Sequence, residues 1–175
     1  MKKAKFILAT ALFFLLYSAS QASAIDLYGF GSYWEKGDID GTWGAGVGIS
    51  LPFILDNIRL DGRAHFFESS DVGPDEVDVT PLDLGLQIHL FPEGTFDPYL
   101  LGGVSYNFVD TDQLDLDSEF GGYLGGGVDV DLGSPLFQLF GELFYRFSDI
   151  GEDTDWGELD ASGFTGNIGL KFHFF

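Results

Sequence analysis

From Ile25 to the end of the chain, apolar residues alternate with small or polar ones. This period of two belongs to strands whose two faces meet different surroundings, because successive side chains point to opposite sides. No amphipathic helical segment interrupts it. The alternation predicts eight strands, over residues 25–34, 41–52, 57–68, 79–91, 98–109, 119–132, 136–148 and 161–175. Their connections are of two kinds that alternate strictly. Three are short and carry proline: the one after Leu51-Pro52-Phe53, the one from Phe91 to Pro98, and Gly133-Ser134-Pro135. Four are acidic: 35–40, 68–78, 110–119 and 149–160. In an up-and-down sheet, alternate connections share an end, so one end is tight and the other long and charged.

The oily face decides the compartment. The fourth strand sets Leu82, Leu84, Leu86, Ile88 and Leu90 against Asp83, Gly85, Gln87 and His89. The third sets Ile58, Leu60, Gly62, Ala64 and Phe66 against Arg59, Asp61, Arg63 and His65. In the seventh, Leu139, Leu143, Tyr145 and Phe147 oppose Gln138, Phe140, Glu142, Phe144 and Arg146. The eighth opposes Phe164, Ile168, Leu170, Phe172 and Phe174 to Thr165, Asn167, Gly169, Lys171 and His173. Long aliphatic rows turned inward would crowd an eight-stranded barrel, whose interior is only wide enough to be filled by side chains. Turned outward they suit lipid, with the polar and glycine rows facing a narrow lumen. The expected fold is therefore all-β, an eight-stranded antiparallel up-and-down transmembrane barrel. Glycines 44, 46 and 48 on the second strand, and 121, 125 and 127 on the sixth, would make room for large side chains opposite. Gly41-Thr42-Trp43 superficially resembles the lipocalin Gly-x-Trp signature of a soluble barrel, but it falls on the second strand rather than the first.

Aromatic residues gather at both strand ends, as the two interfaces of a bilayer barrel require. Phe53, Phe91, Phe96, Tyr99, Phe137 and Phe174 are read as one belt. Trp34, Trp43, Phe67, Tyr106, Phe108, Phe120, Tyr145 and Phe147 are read as the other.

Residues 1–24 look like an address label. Lys2, Lys3 and Lys5 precede an apolar run from Phe6 to Tyr17, and Ala22-Ser23-Ala24 offers a signal-peptidase site. The run falls short of the ~20 residues a spanning helix needs. Cleavage is expected after Ala24, leaving 25–175 as the barrel domain. The chain has 28 acidic and 8 basic side chains, a net charge of −20, which argues against nucleic acid as a partner. It has no Cys, so disulfides and thiolate metal sites are excluded.

With these features in place, the chain resembles the small outer-membrane barrels of the OmpA/OmpX/OmpW-like group. The resemblance rests on the first strand, Tyr28-Gly-Phe-Gly-Ser-Tyr33-Trp34, on Pro98-Tyr99-Leu-Leu-Gly-Gly-Val104-Ser-Tyr106, and on a terminal aromatic. Phe174 is in phase with the oily row, and Phe175 is one residue beyond. The resemblance implies Gram-negative origin, an outer-membrane location and both termini in the periplasm. It also implies insertion by the barrel-assembly machinery, with lipid and lipopolysaccharide as surroundings. A monomer is expected.

Inside such a barrel, charges must be paired. If the connection at 69–78 closes a hairpin, Arg63 lies beside Asp83, Asp61 near Gln87 and Arg59 near His89. The seventh strand adds Glu142 and Arg146, and the sixth Asp129 and Asp131; Arg59, Asp61, Arg63, Asp83, Glu142 and Arg146 are the candidate lumen ion pairs. The acidic connections hold 19 of the 28 carboxylates, offset by Lys36 alone. Most of that charge serves solvation, and the sharper expectation is that the rim attracts divalent cations or a basic extracellular partner. Asp110, Asp112, Asp115 and Asp117 are weak metal candidates, since Leu114 and a missing Gly break the calcium-loop pattern. His65, His89 and His173 have no Ser or Asp at a triad-like spacing. The leading function is a structural or surface-interaction barrel with a filled lumen and no cofactor. The alternative is a narrow channel or carrier for small solutes, as the OmpW-like resemblance implies. A lipid-modifying enzyme comes third. Outer-membrane deacylases of this size use a lipid-facing His/Ser pair, and no such pair is found here.

Overall fold

Strands can cross hydrocarbon only if every backbone N–H and C=O finds an internal partner, which demands a closed sheet. The computed structural model describes residues 25–36, 41–72, 75–92, 94–111, 119–150 and 159–174, and its sheet closes. The barrel strands are β1 (Ile25–Trp34), β2 (Thr42–Phe53), β3 (Leu55–Phe67), β4 (Asp75–His89), β5 (Phe96–Thr111), β6 (Glu119–Asp131), β7 (Phe137–Phe147) and β8 (Gly163–Phe174). Each pairs antiparallel with its neighbours in the chain. The last strand returns to the first in an unbroken ladder from Ile25↔Phe174 to Trp34↔Thr165. The chain therefore forms an all-antiparallel barrel of eight strands, with no helix among the described residues. The segment 1–24, with the cleavage expected after Ala24, lies outside the described residues.

The three tight connections share an end with both chain ends; this is called the turn end here, and the opposite one the loop end. Several strand limits differ from the sequence reading, most by one or two residues. β4 begins at Asp75 and β5 runs to Thr111, because their ladder continues to Val77↔Thr111. Ser70–Val72 also pairs with Asp75–Val77, so part of the acidic connection is a hairpin standing beyond the barrel. The β2–β3 link is tighter than expected: Phe53 pairs with Leu55 across Ile54, whose φ is 66°. A β-branched residue in this left-handed region costs about 1–2 kcal/mol.

The faces follow the alternation. Leu82, Leu84, Leu86 and Ile88 on β4 point outward and are exposed, while Asp83, Gln87 and His89 are buried. β1, whose mixed composition shows no clear oily row, turns Asp26, Tyr28, Phe30, Ser32 and Trp34 inward. The phases of β1, β3 and β5 correct the aromatic belts. Trp34, Phe67 and Tyr99 fill the interior; Trp34 is 0% exposed and packs with Val79, Ala161 and Phe67. Trp43, Phe108, Phe120 and Phe147 at the loop end, and Phe91, Phe96 and Phe174 at the turn end, do face outward. Glycine takes up the space that inner aromatics need. A Cβ at Gly48 would collide with the hydroxyl edge of the Tyr28 ring, and one at Gly127 would sit 2.5 Å from Tyr99 Cζ.

A charge placed on the outer row tests what surrounds it. Leu84→Arg, halfway along β4, should destabilise the barrel in lipid vesicles by about 2–4 kcal/mol. Equilibrium unfolding in denaturant measures this, and a neutral result would mean that this row does not face lipid.

Candidate functional site: the charged lumen

Polar rows from eight strands converge on a space too narrow for water columns beside bulky side chains, so their charges meet one another. Among the described residues, six buried carboxylates (Asp26, Asp61, Asp83, Asp97, Asp129, Glu142) share the lumen with Arg59, Arg63, Arg146, Lys171 and three histidines. They form three layers.

Nearest the loop end, Arg146 on β7 grips Asp83 on β4 with both terminal nitrogens, Nη1 to Oδ1 at 2.8 Å and Nη2 to Oδ2 at 2.9 Å. This fork is the strong geometry for guanidinium and carboxylate. Ser105 donates to Asp83 Oδ1 at 2.6 Å, and His65 Nε2 lies 3.2 Å from Oδ2. The Arg146 guanidinium also stacks over Trp34 and Phe144, at 5.2 and 5.4 Å. His65, Asp83 and Ser105 come together in space although no sequence spacing announces them. Ser105 gives its hydrogen bond to Asp83 rather than to the imidazole, and all three are sealed from solvent, so the trio is wired as an ion cluster and not as a nucleophile with its base.

The middle layer centres on Arg63 of β3. It donates to Asp61 Oδ1 (2.5 and 2.7 Å) and to Glu142 Oε2 (2.5 Å). Every remaining lone pair has a donor nearby. Tyr28 Oη (2.5 Å) and Gln87 Nε2 (3.1 Å) donate to Asp61 Oδ2; Tyr99 Oη (2.8 Å) and Asn167 Nδ2 (3.0 Å) donate to Glu142. At the turn end, Arg59 meets Asp26 at 2.7 Å, and His173 Nδ1 meets the other Asp26 oxygen at 2.7 Å. Lys171 donates to Asp129 at 2.5 Å, and His89 Nδ1 lies 2.7 Å from Asp97.

All six residues read from the sequence as lumen ion pairs lie in this network, but the partners differ from the sequence reading. The β3–β4 register does set Arg63 opposite Asp83. Yet Arg63 turns toward Asp61 and Glu142, leaving Asp83 to Arg146 across the lumen. Arg59 stands opposite Gln87 rather than His89 and pairs with Asp26. A long guanidinium reaches across a narrow barrel as readily as along its wall, so ladder neighbours do not dictate ion partners. Sequence reasoning counts Asp129 of β6 among the inner charges but misses Asp26, Asp97 and Lys171. Their signal was phase: Lys171 shares a row with Asn167, and Asp97 with Tyr99. Of the acidic-loop candidates, Asp110 lies on β5 opposite Asp78 in the ladder. Asp112, Asp115 and Asp117 lie outside the described residues.

Above the loop-end layer, Lys36 folds back over the Trp34 ring at 5.0 Å and is buried. Burial pushes its ammonium from the ordinary value near 10.5 down to about 8. The folded state thus binds fewer protons than the unfolded chain between those values, and stability rises with pH across that window. Below pH ~8 the penalty is fully present. Lys36→Met should flatten this part of the stability curve, which unfolding at a series of alkaline pH values would reveal.

Truncating Arg146 to Ala should leave Asp83 buried without its fork, a loss of about 3–5 kcal/mol. Adding Asp83→Ala should recover part of it. The Arg63/Asp83 double-mutant cycle should give a smaller coupling than the Arg146/Asp83 cycle; the reverse order would contradict the cross-lumen pairing.

The sequence matches the family described as outer membrane protein beta-barrel domain over residues 6–172. No curated protein matches it in sequence. Among solved structures, the outer membrane protein OprG from Pseudomonas aeruginosa is similar with a TM-score of 0.73 at 16% identity, covering 87% of this chain and 96% of that one. Neisserial surface protein A is similar with a TM-score of 0.60 at 13% identity, covering 86% and 96%. The N-terminal β-barrel domain of Pseudomonas aeruginosa OprF gives 0.57 at 16% identity, covering 86% and 97%. At these identities the likeness is one of fold.

Proposed function

Because the chain belongs to the outer membrane protein beta-barrel domain family, we propose that it is a small non-conducting barrel of the outer membrane that anchors acidic loops at the cell surface. The observation that carries this reading is the sealed middle of the lumen. A residue lining an open pore is wetted, yet the side chains of Arg63, His65, Asp83 and Arg146 are all 0% exposed. The polar interior then serves to hold the barrel shut and rigid, and outward function falls to the loops. On this reading both termini lie in the periplasm, and the protein is a monomer with lipid and lipopolysaccharide around its apolar wall. The barrel-assembly machinery would insert it. The excess of loop carboxylates suits divalent cations or a basic partner, bound in a salt-sensitive way. No catalytic role is assigned to any residue.

Planar-bilayer recordings test this directly. The wild-type barrel should show little or no steady conductance, whereas Arg146→Ala with Asp83→Ala, which empties the loop-end layer, should leak small ions. Large, stable openings in the wild type would instead support the narrow-channel alternative.

A further inference from the structure

The turn-end layer differs from the other two because one of its carboxylate oxygens has no hydrogen-bond partner. Around Arg63 the spare carboxylate oxygens are taken by tyrosine, glutamine and asparagine donors. At the turn end, Asp26, Asp97 and Asp129 face only Arg59 and Lys171 as permanent cations. Asp97 on β5 and Asp129 on β6 are direct partners in the ladder, both turned inward and only 5% and 4% exposed. Like charges directly opposite destabilise a sheet unless something lies between them. Lys171 takes Asp129 Oδ2, but Asp129 Oδ1 is buried with no hydrogen-bond partner. An orphaned buried carboxylate oxygen is expensive. Asp129 lines a cavity of about 190 Å³ together with Asp26, Arg59, His89, Asp97 and His173.

We propose that this cavity is a binding site for a first-row divalent transition-metal ion, held by His89, Asp97 and Asp129. Ligand atoms of the three lie within 4.8 Å of one another, close enough to converge on one ion after small side-chain shifts. One imidazole with two carboxylates is a donor set that zinc and its neighbours accept. The outer supports of such a site are present too. The Phe91 N–H donates to Asp97 Oδ1 at 2.9 Å, leaving Oδ2 toward His89. His89 Nε2 lies 3.4 Å from Gln87 Oε1, which orients the ring with Nδ1 toward the two aspartates. Contacts of this kind fix the direction of metal ligands. The ion would sit between the two opposed aspartates, supply the missing positive charge and leave its open position toward the cavity. Metal binding at His89 Nδ1 needs that nitrogen free of its proton, which passes to solvent. The site is separate from the acidic loops, at the opposite end of the barrel.

Zn²⁺ is the probe. Folded barrel in detergent should bind one Zn²⁺ at sub-millimolar concentration in the presence of excess Mg²⁺, which occupies the hard carboxylates of the loops. Co²⁺ in its place should show the visible absorption of a low-coordinate site. His89→Gln and the nearly isosteric Asp129→Asn should each weaken Zn²⁺ by roughly tenfold or more, with folding checked by the heat-dependent gel shift of a closed barrel. Lys171→Gln, which removes the competitor for Asp129 Oδ2, should tighten it. His65→Gln, in the loop-end layer, should leave it unchanged. Zn²⁺ binding that is absent from the wild type, or equal in the folded wild type, His89→Gln and Asp129→Asn proteins, would overturn the site.

Discussion

Everything in this protein depends on the ladder between its first and last strands. Ten residue pairs from Ile25↔Phe174 to Trp34↔Thr165 turn a meander into a tube. Without them β1 and β8 would present two rows of unpaired backbone groups to hydrocarbon, each group costing several kcal/mol. Closure also creates the inside. Once the sheet is shut with its oily rows outward, the polar rows of all eight strands are committed to one narrow column, and their charges must find partners there.

That second consequence explains the composition of the inner rows. Guanidinium groups can satisfy two carboxylates at once, as Arg63 does with Asp61 and Glu142. Aromatic rings fill the volume the charges leave, and glycine on the facing strand admits them, as Gly48 does under Tyr28. Trp34 shows the same economy at the loop end, where its ring lies against both Arg146 and Lys36. The wall is thus oily outside and ionic inside within a single strand, the inverse of a soluble barrel. The layers are not equivalent. The loop-end and middle layers satisfy their carboxylates within the chain, while in the turn-end layer Asp129 lines a cavity and its Oδ1 has no hydrogen-bond partner.

Much of the barrel was legible because alternation is a local property. The outward leucines of β4 and the inward Arg59, Asp61, Arg63 and His65 of β3 can be told apart by counting alternate residues. The phase of β1 could not be read so simply, since Tyr, Phe, Ser and Trp stand on one face and Leu, Gly and Tyr on the other. Trp34 is ambiguous for that reason, whereas Phe67 and Tyr99 are ambiguous by position: an aromatic near a strand end suits a belt or a lumen plug equally, and the strand's phase within the closed sheet separates the two. The β3–β4 hairpin register placed Arg63 opposite Asp83 correctly, yet ladder opposition did not make them an ion pair.

By itself, then, the sequence determined that eight alternating strands with tight and acidic connections would form an outward-oily barrel, because period-two patterning and turn chemistry act over a few residues. Tertiary structure alone decided which charge meets which. Arg146 and Asp83 are 63 positions apart in the chain, and Lys171 reaches Asp129 from β8 to β6, two strands that share no ladder. Such contacts arise only when the sheet has curled far enough to bring opposite walls within the length of one side chain. A barrel's periodicity is written along its strands; its ionic interior depends on the diameter at which they close.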